Sequence, residues 1–130
     1  MFHVKHRFSA LERDFSQLYE HCGKVSWLFP EKKWKLLWRH LVLVHSWSTK
    51  LSLVSAGDRD FLATRHLLPA LRIARFAGSL ACSRVLDFGS GAGWPGVPLQ
   101  IMLDGSQLVL LEGRRKRANF LTYVRRSLCL

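Results

Sequence analysis

Val85-Leu-Asp-Phe-Gly-Ser-Gly-Ala-Gly93 decides how this chain is read. A short apolar run ends in Asp87 and opens into glycines at alternate positions, Gly89, Gly91 and Gly93. Glycine takes φ > 0 without strain and lets a ligand touch main chain where a side chain would block it. Between a strand and a helix, such a turn aims backbone N–H groups at a nucleotide-like ligand. Glu112 ends the next apolar run, where a carboxylate can accept both hydroxyls of a ribose. The same acid would also favour the positive end of a following helix. The pattern predicts a binder of a nucleotide-type cofactor.

Outward from the turn, residues 84–88 read as a buried strand and 95–103 as a helix. Residues 107–112 read as a second strand and 113–128 as a second helix. Leu108, Val109, Leu110 and Leu111 form the continuous apolar run of a parallel strand covered on both faces. In the last helix Phe120, Leu121, Val124 and Leu128 make an inner stripe, with Arg115, Asn119, Thr122 and Arg126 facing out. Strand–helix–strand–helix opens a doubly wound, Rossmann-like α/β sheet. Such open sheets usually carry about five strands or more, so the chain reads as the front of a longer protein or a truncated copy of one.

Upstream, the first 80 residues read as helices. Ser9 is expected to cap a helix over about 10–22, closed by Gly23. Pro30 suits the first turn of a second helix, in which Trp34, Leu37, Trp38, Leu41 and Val44 make a one-sided core stripe. Lys32, Lys33, Lys35 and Arg39 lie mostly off that stripe. Residues 46–57 read as a loop, and Asp58 as the cap of a helix over about 59–79 that Pro69 kinks or splits. The chain divides into a helical extension, 1–82, and the start of a cofactor-binding α/β domain, 83–130.

Twenty Lys and Arg against nine Asp and Glu give a net charge of +11, which suits a polyanion, nucleic acid before membrane. Cys22, Cys82 and Cys129 are far apart and odd in number, which fits a reducing compartment and argues against a disulfide framework or a zinc site. No apolar stretch approaches the roughly 18 residues that span a bilayer, and residues 1–7 lack the apolar core of a leader peptide. A cytoplasmic monomer without metal is the expectation.

Two patterns overlap in the glycine turn. Gly91-Ala-Gly93-Trp-Pro-Gly96 matches the dinucleotide fingerprint G-x-G-x-x-G, whose first glycine follows the strand directly. In that frame Gly89 and Ser90 are extra and Asp87 has no role. Asp87 with Gly89, Gly91 and Gly93 matches the D-x-G-x-G-x-G loop of S-adenosylmethionine (SAM) methyltransferases, in which every residue is used. Trp94, Pro95 and Pro98 also spoil the clean helix start that a pyrophosphate requires. SAM, without a phosphate, is favoured over NAD(P).

The extension Trp94-Pro-Gly-Val-Pro-Leu99 sharpens the match. With the run from Val85 it closely resembles the RsmG (GidB) family of bacterial rRNA methyltransferases, whose glycine loop runs into P-G-(I/V)-P-L. Leu110-Leu-Glu-Gly-Arg-Arg-Lys-Arg-Ala-Asn-Phe-Leu121, Trp47, Leu53 and Arg65-His66-Leu67-Leu68 carry the resemblance further, over roughly residues 30 to 130. It implies a class I SAM-dependent methyltransferase fold and methyl transfer to N7 of a guanine in 16S rRNA of the small ribosomal subunit. It also implies cofactor contacts at Gly89 and Trp94, with Gly91, Gly93 and Glu112 completing the site. The family's R-H-x-L-D-S reads Arg65-His-Leu-Leu-Pro-Ala70 here, and its N-L-T reads Ser52-Leu-Val54.

Guanine N7 carries an in-plane lone pair and needs no deprotonation, so alignment can carry the reaction. The sequence accordingly offers no obvious base, nucleophile or metal cluster. Arg65 and His66 are the substrate-side candidates. His3, His6, His21, His40 and His45 read as structural, and Trp27, Trp34, Trp38 and Trp47 as core. Arg114, Arg115, Lys116, Arg117, Arg125 and Arg126 form a basic helix that either holds rRNA phosphates or is a solvated surface. Two other classes stand beside this reading: an NAD(P)-binding oxidoreductase domain, and a non-catalytic RNA-binding remnant of the methyltransferase.

Overall fold

A computed structural model describes residues 8–130. Residues 1–7, with His3, His6 and the leader-peptide reading, lie outside the described residues. The elements in chain order are α1 (Ser9–Lys24), α2 (Glu31–Trp47), a 3-10 turn (Ala56–Phe61) and a π turn (Ala63–Leu67). Then follow α3 (Leu68–Ser79), β1 (Arg84–Phe88), α4 (Gly96–Met102), β2 (Gln107–Leu111) and α5 (Arg115–Leu128).

The helical stripes pack as their spacing dictates. Trp34, Leu37, Trp38, Leu41 and Val44 of α2 are all buried, as are Phe120, Leu121, Val124 and Leu128 of α5. One apolar cluster joins these to Leu11, Phe15 and Leu18 of α1 and to Ala92, Val97 and Ile101 around α4. Phe15 sits between the rings of Trp34 and Trp38, at 5.8 and 5.2 Å. Such aromatic contacts add about 0.5–1.5 kcal/mol each to area burial. Truncating a residue such as Leu41, fully buried here, to alanine costs about 2–5 kcal/mol.

β1 and β2 pair in parallel with Val85 opposite Leu108 and Phe88 opposite Leu111. Val85, Asp87, Leu108 and Leu110 point inward, while Leu86, Phe88, Val109 and Leu111 are exposed. Strands covered on both faces were expected; here one face is bare, because α4 and α5 lie only on the other side of the pair.

Local expectations shift in three places. Ser9 is the first helical residue, not a cap, with Phe8 at the cap position and no side-chain cap. Gly23 does not close α1, which continues to Lys24; the left-handed residue is Ser26, and the Trp27 N–H bonds the Cys22 carbonyl. The helix expected over 59–79 is broken into the two turns and α3, with Pro69 in the first turn of α3, where its missing N–H is harmless. Asp58 caps nothing there. Buried Asp14 does that work from α1: its carboxylate accepts the Ala63 and Thr64 N–H groups and the Thr64 hydroxyl, at 2.7, 3.2 and 2.7 Å.

No helix among the described residues is long and apolar enough to cross a membrane. None of their His, Cys, Asp and Glu side chains gather in threes as a metal would need.

Candidate cofactor site

The flush ends of β1 and β2 bring the glycine turn and Glu112 together. The N–H groups of Gly89 and Ser90 both donate to the Leu111 carbonyl, at 2.7 and 3.2 Å. The Gly91 N–H donates to Glu112 Oε2 at 2.7 Å, and the Arg114 N–H donates to Oε1 at 2.9 Å. These two amides, first Arg114 and then Gly91, hold the Glu112 carboxyl below its ordinary pKa. Deeper in, Asp87 Oδ2 accepts the Gly96 N–H at 3.0 Å, and burial pushes the Asp87 carboxyl up against that bond. Asp87 therefore anchors the start of α4 to the end of β1.

The glycines divide by what lies in front of them. Gly89 (φ +76°) faces open space, and Gly91 (φ +57°) meets nothing closer than the Gly89 carbonyl oxygen at 3.9 Å. Gly93 (φ +96°) faces the core instead: an added Cβ would lie 2.7 Å from Val97 Cγ2 and 3.1 Å from His40 Nε2. At Gly96 a Cβ would collide with Leu110 and Asp87, so α4 sits against β1 and β2 only because that position is bare. Gly89 and Gly91 thus shape the open side and Gly93 and Gly96 the packed side.

Trp94 lies between two imidazoles, His40 at 4.5 Å and His66 at 5.7 Å and nearly parallel. His66 Nε2 is 3.2 Å from Asp58 Oδ2, and Arg65 pairs with Asp58 Oδ1 and the Gly57 carbonyl. Arg65, first, and His66 hold the Asp58 carboxyl low. His66 therefore joins Trp94 at the rim of the turn, whereas Arg65 is committed to Asp58 and to the face of Phe61, 4.7 Å away.

Two residues that hold this site were read as ordinary or passed over. His40 is fully buried, donates from Nε2 to the Ala92 carbonyl at 2.9 Å, and leaves Nδ1 without a partner. Burial keeps it neutral, with its pKa lowered to about 4. Asp14 steers the segment carrying Arg65 and His66. Both had a signal in the sequence: each stands three residues after one leucine of a buried stripe, Leu37 for His40 and Leu11 for Asp14.

With this geometry in view, comparison with known proteins gives one consistent result. A family model described as rRNA small subunit methyltransferase G (GidB) matches residues 33–130. Proteins named Ribosomal RNA small subunit methyltransferase G are similar to the chain in several bacteria. One from Clostridium botulinum (strain Okra / Type B1) is 29% identical over 85% of this chain and 46% of its own length. One from Stutzerimonas stutzeri is 33% identical over 92% and 55%, and one from Pseudomonas paraeruginosa is 41% identical over 79% and 47%. The chain spans about half the length of the curated relatives it matches. No solved structure matches it.

Proposed function

The chain belongs to the GidB family, rRNA small subunit methyltransferase G, and from that premise we propose that it binds SAM at the carboxyl ends of β1 and β2. The reaction served is methyl transfer to N7 of a guanine in small-subunit rRNA. The observation that carries the reading is the open space before Gly89 and Gly91, bordered by a Glu112 carboxylate held in its charged form.

The residues fit a sulfonium nucleoside better than a dinucleotide. The amides of Gly89, Ser90, Gly91, Gly93 and Trp94 are spent on the Leu111 and Ser90 carbonyls and on Glu112. The first amide of α4 is spent on Asp87. A diphosphate would find few free N–H groups and two nearby carboxylates, Asp87 and Glu112, whose charges already repel each other. A cationic ligand gains from that same pair.

SAM, when bound, supplies an electrophilic methyl group on sulfur. Each Glu112 oxygen accepts one amide and has a lone pair left, so the carboxylate can take ribose hydroxyls without releasing the turn. Gly89 and Gly91 allow close approach, while Asp87 and Gly93 shape the turn from behind. Trp94 and His66 form a stacked wall at its rim that offers a flat face to cofactor or base. Arg65 keeps His66 in line through their shared partner Asp58. Since N7 is already nucleophilic, these residues act by orientation.

Calorimetric titration with SAM and with NAD tests the proposal. SAM binds saturably, NAD does not, and Gly91→Asp removes SAM binding by placing a side chain and a negative charge in the open space. NAD binding with no response to SAM overturns the reading, as does a Gly91→Asp protein with unchanged SAM affinity. Transfer of labelled methyl to small-subunit rRNA, mapped to guanine N7, tests the reaction itself.

A further inference from the structure

The basic residues of α5 do not form one surface. Arg125 lines a cavity between α4, β2 and α5 with Val97, Leu110 and Leu121. Arg114, Arg115, Lys116 and Arg117 instead face Lys50, Leu51 and Ser52 across a groove of about 390 Å³. Five of the seven residues lining that groove are cationic.

We propose that this groove, between the turn at residues 50–52 and the first turn of α5, grips the phosphate backbone of the RNA substrate. The inference deepens the function proposed above and rests on it for the identity of the polyanion. The two walls are already tied together, since Arg117 Nη2 donates to the Ser52 carbonyl at 2.6 Å. None of the five cations is in an ion pair among the described residues. Lys50 Nζ lies only over the Trp47 ring, 5.9 Å from its centroid. α5 has no acidic residue in its first turn and no side-chain cap. Cations there reinforce the positive end of the helix dipole, an arrangement that disfavours the free protein and is relieved by an anion. The opposing acid is Glu112, which binds the Arg114 amide and faces the cofactor side. Through Glu112, which also accepts the Gly91 amide, the groove adjoins the glycine turn. Arginine suits the task because its planar donors match phosphate oxygens in pairs.

The test is fluorescence anisotropy with a labelled small-subunit rRNA fragment and no cofactor, at several salt concentrations. The groove pair Arg115→Glu/Lys116→Glu is compared with Arg13→Glu/Lys32→Glu, which makes the same charge change on exposed parts of α1 and α2. Lys50→Ala/Arg115→Ala serves as the milder variant, and urea unfolding checks that each protein folds. The groove pair is expected to weaken binding at least about tenfold and to flatten the slope of log K against log salt by about 1.4, at roughly 0.7 per lost phosphate contact. The milder variant shows a smaller loss in the same direction, and the control pair changes affinity about twofold or less. Equal losses in groove and control pairs overturn the proposal, since charge then acts as a diffuse field. So does a groove variant that keeps RNA affinity but loses binding to phosphatidylserine vesicles. SAM titration on the same proteins separates the two readings: groove-dependent RNA binding without SAM binding leaves this inference standing and removes the cofactor assignment.

Discussion

Acidification should unfold this protein through His40, and the cost can be worked from its surroundings. The ring has no exposed surface, Nε2–H is spent on the Ala92 carbonyl, and Nδ1 has no acceptor nearby to welcome a proton. Its pKa of about 4 in the fold compares with 6.5 for an ordinary histidine. Between those values the unfolded chain binds a proton that the folded chain refuses. Stability is therefore intact above pH 6.5 and falls as pH drops from 6.5 towards 4. Over about 2.5 pH units, at about 1.4 kcal/mol per unit, the loss reaches about 3 kcal/mol. His40→Gln keeps an N–H that can donate to Ala92 and removes the titration. Urea unfolding followed by tryptophan fluorescence, from pH 7.5 to 4, gives both profiles. Asp58, Asp87 and Glu112 titrate in both proteins and cancel in the difference. The wild type is expected to lose about 3 kcal/mol more than His40→Gln across the window. Parallel profiles would refute the account of His40 as a buried neutral donor.

The two halves of the glycine turn should respond differently to one methyl group. Gly93→Ala is expected to lose about 2–5 kcal/mol in urea unfolding, from its left-handed φ and the collision with Val97 and His40. Gly89→Ala, facing open space, should cost only about 1–2 kcal/mol of stability while weakening SAM in calorimetry; a stability loss equal to that of Gly93→Ala would contradict the division. Asp14→Ala leaves the buried Ala63 donor and the part-buried Thr64 donors unsatisfied, with an expected loss of about 1–3 kcal/mol, and unchanged stability would show that water replaces the carboxylate. Phe88→Ser, 81% exposed, should change unfolding free energy by no more than about 0.5 kcal/mol.

The second half of the chain was largely legible, because period-2 and period-3.6 signals alternate cleanly around an unmistakable turn. Strand and helix limits there fall within two residues of those expected. The first half was less so, for one physical reason: tertiary contacts override local signals. The π turn over Ala63–Leu67 starts where Asp14, far upstream, claims the Ala63 and Thr64 amides. Asp58, read as a cap, is drawn to Arg65 and His66 instead. Counting apolar residues along a stripe passes over the polar ones within it: Asp14 draws no reading at all, and His40, rightly read as structural, is not tied to the glycine turn. At the site, spacing located Gly89, Gly91, Gly93 and Glu112 together, yet which glycine faces open space and which faces core depends on Val97, Leu121 and His40, and no spacing encodes that.

The in-register pairing of β1 with β2 acts as a ruler for the turn. Because Phe88 stands opposite Leu111, the next residues, Gly89 and Glu112, emerge level with each other. Slipping β2 by one position would turn Leu108 and Leu110 outward and carry the Glu112 carboxylate away from the Gly91 amide in the same stroke. A single inserted residue between 107 and 111 would thus damage core and carboxylate grip together, whereas an insertion at the exposed Gly105, facing open space, would leave the measure untouched.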